Sequence, residues 1–305
     1  MGIKNFYLPP FLRCPLCGAA LSVDGGSLYC GGERRHTYDI AKEGYVNLLP
    51  PGRAKNARTG DGADMIRARE NFLALGGYDR YSSEAALFAA GFIDPSVCSA
   101  DDAFTVIDAG CGEGRHTVNM AAAFAEALGC FVDILGVDAS KFGAQAAAKK
   151  YVKNGSHGQM INPCFVAGNI FSLPVADSSA DVLTSLFAPL PGDEAGRVLK
   201  KGGLIVICAA GGGHLAEMRS VLYENPVPSG GGAVVPDGFT VVGETVIEYP
   251  LELSSPEDIM ALFTMTPFYH NAPPVGRAKL EALTQLTVTV QVKCTVAKKE
   301  DPAGE

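Results

Sequence analysis

From residue 104 onward, short apolar runs alternate with stretches whose apolar residues recur at helical spacing. The runs FTVIDAG (104–110), DILGVD (133–138), CFVAG (164–168), DVLTSLF (181–187) and LIVICAA (204–210) have the pattern of strands buried on both faces. Segments near 114–128, 140–152, 193–199 and 213–223 predict helices between them. This alternation predicts an α/β fold with a mostly parallel sheet covered on both sides. A strand over 239–249, helices near 256–264 and 276–284, and a last strand over 286–297 follow. The Gly/Pro-rich stretch 225–238 predicts a mobile surface loop, and the terminal DPAGE a disordered end.

Ahead of this block the pattern changes. Residues 11–50 are turn-rich and Cys-bearing, 51–62 (PGRAKNARTGDG) read as a linker, and helices are expected near 62–75 and 79–92. Three units are therefore expected: a small Cys-bearing domain at 1–50, a linker and helical segment at 51–100, and the α/β domain at 101–305. No apolar run reaches the roughly 18 residues of a membrane span. The first residues lack the apolar core of a signal peptide, so a cytoplasmic protein is expected.

The first strand of the block ends in Asp108-Ala-Gly110-Cys-Gly112-Glu113-Gly114 and opens directly into a helix. Glycines at such a turn let the backbone bend sharply and approach a ligand closely. The G-x-G-x-G spacing differs from the G-x-G-x-x-G of dinucleotide folds. Asp108 suits a cationic amino acid end, held through water, and Glu113 would repel a phosphate. Together they point to S-adenosylmethionine. Asp138 ends the second strand, where a carboxylate accepts hydrogen bonds from ribose hydroxyls; the alternative is a helix N-cap. Asn169, at the end of the third strand, is placed to meet the adenine edge, or else serves as a turn residue. After the fourth strand, Leu186-Phe187-Ala188-Pro189-Leu190 carries neither the Asn/Asp-Pro-Pro-aromatic motif of exocyclic-amine methylation nor a Pro-Cys nucleophile. Cys111 reads as packing.

Nine cysteines divide into a cluster before residue 40 and six scattered through apolar segments, the latter expected to pack as thiols. Cys14-Pro-Leu-Cys17, Cys30 and His36 supply four ligands for tetrahedral zinc, leaving no open position, so the metal would be structural. The chain carries a net charge of −8, yet its first 70 residues hold 10 Lys/Arg against 7 Asp/Glu. Arg13, Arg34, Arg35, Lys42, Arg53, Lys55 and Arg58, interleaved with Tyr29, Tyr38 and Tyr45, suit phosphate contact and base stacking in RNA. The bland alternative is a solvated surface docked on the larger domain.

The cysteine pattern, followed by His36-Thr-Tyr-Asp-Ile-AKEGYVNLLP, resembles the zinc-ribbon-bearing 23S rRNA (guanine-N1)-methyltransferases. The likeness continues through MIRAR (65–69), FLALGGY (72–78), the glycine turn, GVDASK (136–141), GHLAEM (213–218) and MTPF (265–268), nearly the whole chain. It implies a class I, Rossmann-like fold with a mostly parallel seven-stranded sheet and a small N-terminal zinc ribbon. It further implies methylation of guanine N1 in a hairpin of 23S ribosomal RNA. By position, Cys14, Cys17, Cys30 and His36 would hold zinc, and Tyr78, Gly112, Glu113 and His214 would line the S-adenosylmethionine pocket. Read alone, Tyr78 is core packing and His214 is equally a helix-end residue. No general base is singled out, and a homodimer is among the assemblies expected. Two rivals remain at this stage. A small-molecule methyltransferase with a zinc-stabilised lid would not need the basic N-terminal segment. A non-catalytic RNA-binding sensor would bind donor and RNA without transferring methyl.

Overall fold

The computed structural model describes residues 6–50, 61–98, 103–230 and 234–300. Most of the expected linker, with Arg53, Lys55 and Arg58, and the DPAGE terminus lie outside them.

The apolar runs form strands. β5 (Phe104–Ala109) is buried at every residue, and alternation divides its side chains between two cores. Phe104 and Val106 join Ile134 and Phe165 on one face; Ile107 and Ala109 join Leu135 and Val137 on the other. β6 (Val132–Asp138), β7 (Ile161–Ala167), β8 (Ala180–Leu186) and β9 (Leu199–Ala210) lie parallel to it. The last two strands, β10 (Phe239–Leu253) and β11 (Leu286–Lys299), pair antiparallel, and β11 inserts between β9 and β10 as the one reversed strand. The chain thus starts at the centre with β5, builds outward to β6 and β7, then returns to build β8 and β9 on the other side. That reversal opens a crevice beyond the carboxyl end of β5, where such sheets bind ligands.

Helices α1 (Ala63–Leu73), α2 (Asp79–Ala90) and α3 (Arg115–Leu128) fall within about two residues of expectation. α4 (Lys141–Ala147) is capped by the Ser140 hydroxyl and runs on into a π-helical turn, Ala148–Lys153. The shorter α5 (Gly192–Val198), α6 (Ala216–Leu222), α7 (Pro256–Met265), α8 (Phe268–Asn271) and α9 (Pro274–Glu281) complete the set.

Near the N-terminus, β1 (Leu21–Asp24), β2 (Ser27–Cys30) and β3 (Thr37–Asp39) make a three-stranded antiparallel ribbon. Two findings go beyond the expected division at residue 50. First, β4 (Tyr45–Asn47) leaves the ribbon and pairs parallel with β7, so the expected seven strands gain an eighth at the edge. Second, Phe11, Leu12 and Leu28 pack into the same core as Ile107 and Leu135, and Arg13 N–H donates to Pro174 O at 2.7 Å. The ribbon is too small to bury its own apolar residues, so it buries them on the sheet.

Three further details differ from expectation. Cys98 and Cys130 do not remain separate thiols; their Cα atoms lie 6.0 Å apart and the sulfurs are joined as a disulfide, a separation typical of such bonds. The start of the Gly/Pro-rich loop is tied down, because the buried Arg219 donates to Val227 O and Ser229 Oγ. A short 3-10 turn, Pro95–Val97, follows α2. No helix among the described residues is long and apolar enough to cross a membrane.

Candidate functional site

Three glycines of the 110–114 turn adopt left-handed φ values of 94°, 54° and 83°. At Gly110 the absence of a side chain is also a packing requirement, since a Cβ there would stand 2.6 Å from that of Ala188. The turn is pinned from β6. Gly110 N–H donates to Val137 O at 2.8 Å, and Gly112 N–H to Asp138 Oδ2 at 2.8 Å. Asp138 Oδ1 accepts from Ser140 N–H at 2.6 Å. The capping alternative for Asp138 is therefore partly met, with Ser140 as the N-cap itself.

Asp108 is buried and accepts hydrogen bonds from the hydroxyls of Thr117 and Thr184. Burial pushes its carboxyl up to about 6, although both hydroxyls pull the other way. With a folded-state value raised to about 6, the penalty on the native state is absent below about 4, builds as pH rises from about 4 to 6, and is complete above that. Asp108→Asn is therefore expected to stabilise the fold at pH 8 by up to about 3 kcal/mol, the gain vanishing by pH 4. Urea unfolding across pH would check this; a gain that persists unchanged at pH 4 would mean the carboxylate is not strained.

Beyond the turn lies a cavity of about 410 Å³, within the size range of cofactor sites. Asp108, Gly110, Gly112 and Glu113 form part of its wall, as do Tyr78 and His214. Asp138 and Asn169 stand outside that wall. Asn169 Oδ1 accepts from Phe171 N–H at 3.1 Å, the geometry of a turn residue.

β11 fixes His214. Gln291 N–H donates to His214 Nδ1 at 3.2 Å, and Thr289 O accepts from Leu215 N–H at 2.7 Å. Burial holds the imidazole down to about 4, so the ring is neutral. With Nδ1 accepting, the hydrogen belongs on Nε2, which faces Tyr78 Oη at 3.4 Å. His214 is thus a hydrogen-bond donor toward the cavity.

Three further residues in the wall escape sequence reasoning: Tyr81, His116 and Phe187. Tyr81 is fully buried with a hydroxyl that has no partner among the described residues, and its helix YSSEAALFAA gives no hint of that. His116 Nδ1 lies 3.4 Å from Ser82 Oγ, whose own hydrogen goes to Asp79 O, so the proton sits on Nδ1 and Nε2 keeps a lone pair. Burial pushes His116 down to about 3. Phe187 has a left-handed φ of 51° and is 44% exposed at the cavity. Its ring meets Tyr81 edge-on at 5.5 Å and lies 5.4 Å from His214. A bulky residue in that backbone conformation is strained, and strain of this kind collects at functional sites. The one sequence signal was its position after the fourth strand.

The wall suits S-adenosylmethionine. Among the described residues, Tyr81 Oη and Glu113 Oε2 are buried without a partner, and both belong to residues of the wall, where a polar ligand would satisfy them. Three carboxylates, Asp61, Asp108 and Glu113, lie in the described wall, and its one guanidinium, Arg69, is paired with Asp61 at 2.7 Å, an excess of acid that suits a sulfonium and an ammonium. Arg115, at the start of α3, is taken up by a forked pair of bonds to Asp79 on α2, each 2.5 Å.

The cysteine cluster assembles as expected. The ligand atoms of Cys14, Cys17, Cys30 and His36 all lie within 4.8 Å of one another. His36 Nδ1 is 3.4, 3.5 and 3.3 Å from the three sulfurs, and the Cys17 and Cys30 sulfurs are 3.9 Å apart. Zn–S bonds of about 2.3 Å in a tetrahedron give edges of about 3.8 Å. The donor set and spacing fit zinc, with Nδ1 as the imidazole ligand. Arg34 and Arg35 are exposed beside the cluster, Arg35 lying 4.2 Å over the Tyr29 ring.

Comparison with known proteins agrees with this geometry. Residues 12–58 match the zinc-ribbon family described as RlmA, N-terminal, and residues 100–230 match a methyltransferase domain. A Micromonospora griseorubida protein, provisionally named a 23S rRNA (guanine-N(1)-)-methyltransferase, is 34% identical over 94% of this chain and 96% of its own. A Bacillus subtilis protein with the same provisional name is 29% identical over 94% and 96%. The 23S rRNA (guanine(748)-N(1))-methyltransferase of Streptomyces fradiae is 32% identical over 70% of this chain and 68% of its own.

Proposed function

Since the chain belongs to the 23S rRNA (guanine-N1)-methyltransferase family, we propose that it methylates N1 of a guanine in a hairpin of 23S ribosomal RNA, in the cytoplasm, with S-adenosylmethionine as donor and a structural zinc in its ribbon. The observation that carries this reading is the union, in one body, of a Cys3His cluster and a donor cavity with a strained, exposed aromatic at its side. A small-molecule enzyme has no use for Arg34, Arg35 and Tyr29 displayed around a metal knot.

The bound donor supplies a methyl group already activated on sulfonium. The protein's task is alignment and exclusion of water. Gly110 and Gly112, with Gly114 completing the turn, would let the backbone close on the donor, and Asp108 and Glu113 would face its cationic end. Asp138 holds the turn and, just outside the cavity wall, would offer its remaining lone pairs to the ribose hydroxyls; Asn169, also outside the wall, would flank the adenine end. Tyr78 and His214 bracket the methionine side. His214 Nε2 already carries a hydrogen, so it donates there and does not collect the N1 proton. The target guanine, turned out of its stem, enters beside Phe187. The unit at 1–50 grips RNA, 51–100 links it to the α/β domain and lends Met65, Arg69, Leu73, Tyr78 and Tyr81 to the cavity wall, and 101–305 supplies the rest of the site.

Labelled methyl from S-adenosylmethionine should enter unmodified 23S rRNA and stop reverse transcriptase at one guanine. Absence of any stop, or label found only in a small molecule, would reject the reading. Phe187→Ala is expected to lower kcat/KM for RNA about 10- to 100-fold, the worth of one base–aromatic stack. Phe187→Tyr should restore most of it. Equal loss in both variants would mean the ring contributes shape to the donor cavity and not a stacking face.

A further inference from the structure

Against another face of α1 lies a second, open concavity of about 370 Å³. The helix contributes to the walls of both this groove and the donor cavity. Met65, Arg69 and Leu73, spaced four apart, line the donor cavity, whereas Ile66, Arg67 and Glu70 line the groove. Cations converge on the groove from three places far apart in sequence. Lys42 comes from the AKEGYVNLLP run, Arg67 from α1, and Lys149 and Lys153 from the π-helical turn after α4. Two carboxylates accompany them, Glu43 and Glu70; Glu43 is buried and stands 3.8 Å from Lys42 Nζ. Arg67, Lys149 and Lys153 form no ion pair among the described residues. Set among them is Phe142, an aromatic ring 38% exposed, with Lys141 Nζ 5.1 Å from its centre.

A chain of net charge −8 has many carboxylates with which to neutralise such a group, yet four cations face two carboxylates here and three of the four, Arg67, Lys149 and Lys153, form no ion pair among the described residues. Like charges brought together raise the local potential and repel one another unless an anion enters. A single small anion would need one tight nest, whereas these side chains come from three segments and line an open concavity of about 370 Å³. Several cations beside an exposed ring match a nucleic-acid strand: phosphates in succession and an unstacked base.

We propose that this groove is the track of the RNA strand flanking the target guanine, with Arg67, Lys149, Lys153 and Lys42 on its phosphates and Phe142 against one of its bases. The proposal rests on the RNA-methylating reading above and adds to it a surface outside both the ribbon and the donor cavity. Groove and cavity share α1, a helix about 10 Å across, as a common wall. Neighbouring nucleotides of one strand bridge that width, so a strand held here presents its next base at the donor.

The test is binding of a fluorescently labelled 23S hairpin transcript, followed by anisotropy across a potassium chloride series. Arg67→Glu/Lys149→Glu/Lys153→Glu is expected to weaken binding at least 30-fold near 0.1 M salt. The slope of log affinity against log salt should flatten by about 2, the value for three lost single-strand phosphate contacts. Phe142→Ala should weaken binding about fivefold or more with the slope unchanged, since stacking releases no counterions. S-adenosylmethionine affinity by calorimetry should remain within twofold in both variants, which also reports that they fold. Wild-type affinity and slope in the triple variant would overturn the groove alone. A wild-type protein that binds the hairpin through these residues but transfers no methyl would overturn the reaction and leave the groove standing. A wild-type protein with no measurable affinity for the transcript would overturn both.

Discussion

Gly110→Ala is expected to reduce S-adenosylmethionine affinity at least 100-fold and to lower stability by about 2–4 kcal/mol. Two costs combine there. A left-handed backbone costs a residue with a side chain roughly 1–2 kcal/mol. The new methyl must also stand 2.6 Å from the Ala188 Cβ, a contact that only movement of the turn or of the 186–190 segment relieves. Either movement displaces the donor's cradle, and movement of 186–190 carries Phe187 with it. Gly112→Ala makes an informative companion. Its φ of 54° is the ordinary left-handed well, and its nearest neighbour is the flexible Arg69 guanidinium at 3.2 Å. It should cost about 1 kcal/mol of stability while still blocking the donor. Calorimetry with the donor and thermal unfolding of both variants would separate the effects. If Gly110→Ala binds donor as the parent does, the turn is not the cradle.

Cys30→Ser should produce the second large effect: loss of the metal and a fall in unfolding midpoint of about 10 °C or more, with donor binding largely preserved. Structural zinc in small motifs contributes far more than the folding energy of the motif itself. Here the ribbon also anchors Phe11, Leu12 and Leu28 on the sheet, each worth about 1.5–3 kcal/mol when fully buried. A few kcal/mol lost from a chain of this size shifts the midpoint by roughly the amount stated. The donor cavity takes its described wall from residue 61 onward, so it should outlast the ribbon. RNA methylation should fall far more than donor affinity. Metal content by mass spectrometry, melting curves and methyl incorporation would check each part. A variant that keeps its melting point without metal would show the ribbon to be an independent appendage.

Much of this was legible from residues alone, for identifiable reasons. Strands buried on both faces leave unbroken apolar runs, so β5 to β8 could be placed before any coordinates. The glycine turn was legible because positive φ and close approach demand a missing side chain. The gathering of Cys14, Cys17, Cys30 and His36 was legible because sulfur and imidazole at short spacing have few uses other than metal binding. What escaped depends on partners distant in sequence. Tyr81 is an ordinary helix residue until its hydroxyl is found buried and alone. Phe187 gains meaning from a backbone angle, and His116 from the hydrogen bond its partner makes elsewhere. Asp138 shows the converse: its place at a strand end was readable, but its bonds to Gly112 and Ser140 were not. The eighth strand escaped because Tyr45–Asn47 is only three residues long, too short for any periodicity.

That eighth strand has a consequence for how the protein fails. β7 would otherwise be the outermost parallel strand on its side, offering unpaired amides and carbonyls to any neighbouring chain. Tyr45–Asn47 shields it, and the shield is tethered through a few residues to the metal knot. Chelation should therefore do more than loosen a domain: it should uncover a sticky border, and demetallated chains should precipitate in a concentration-dependent way.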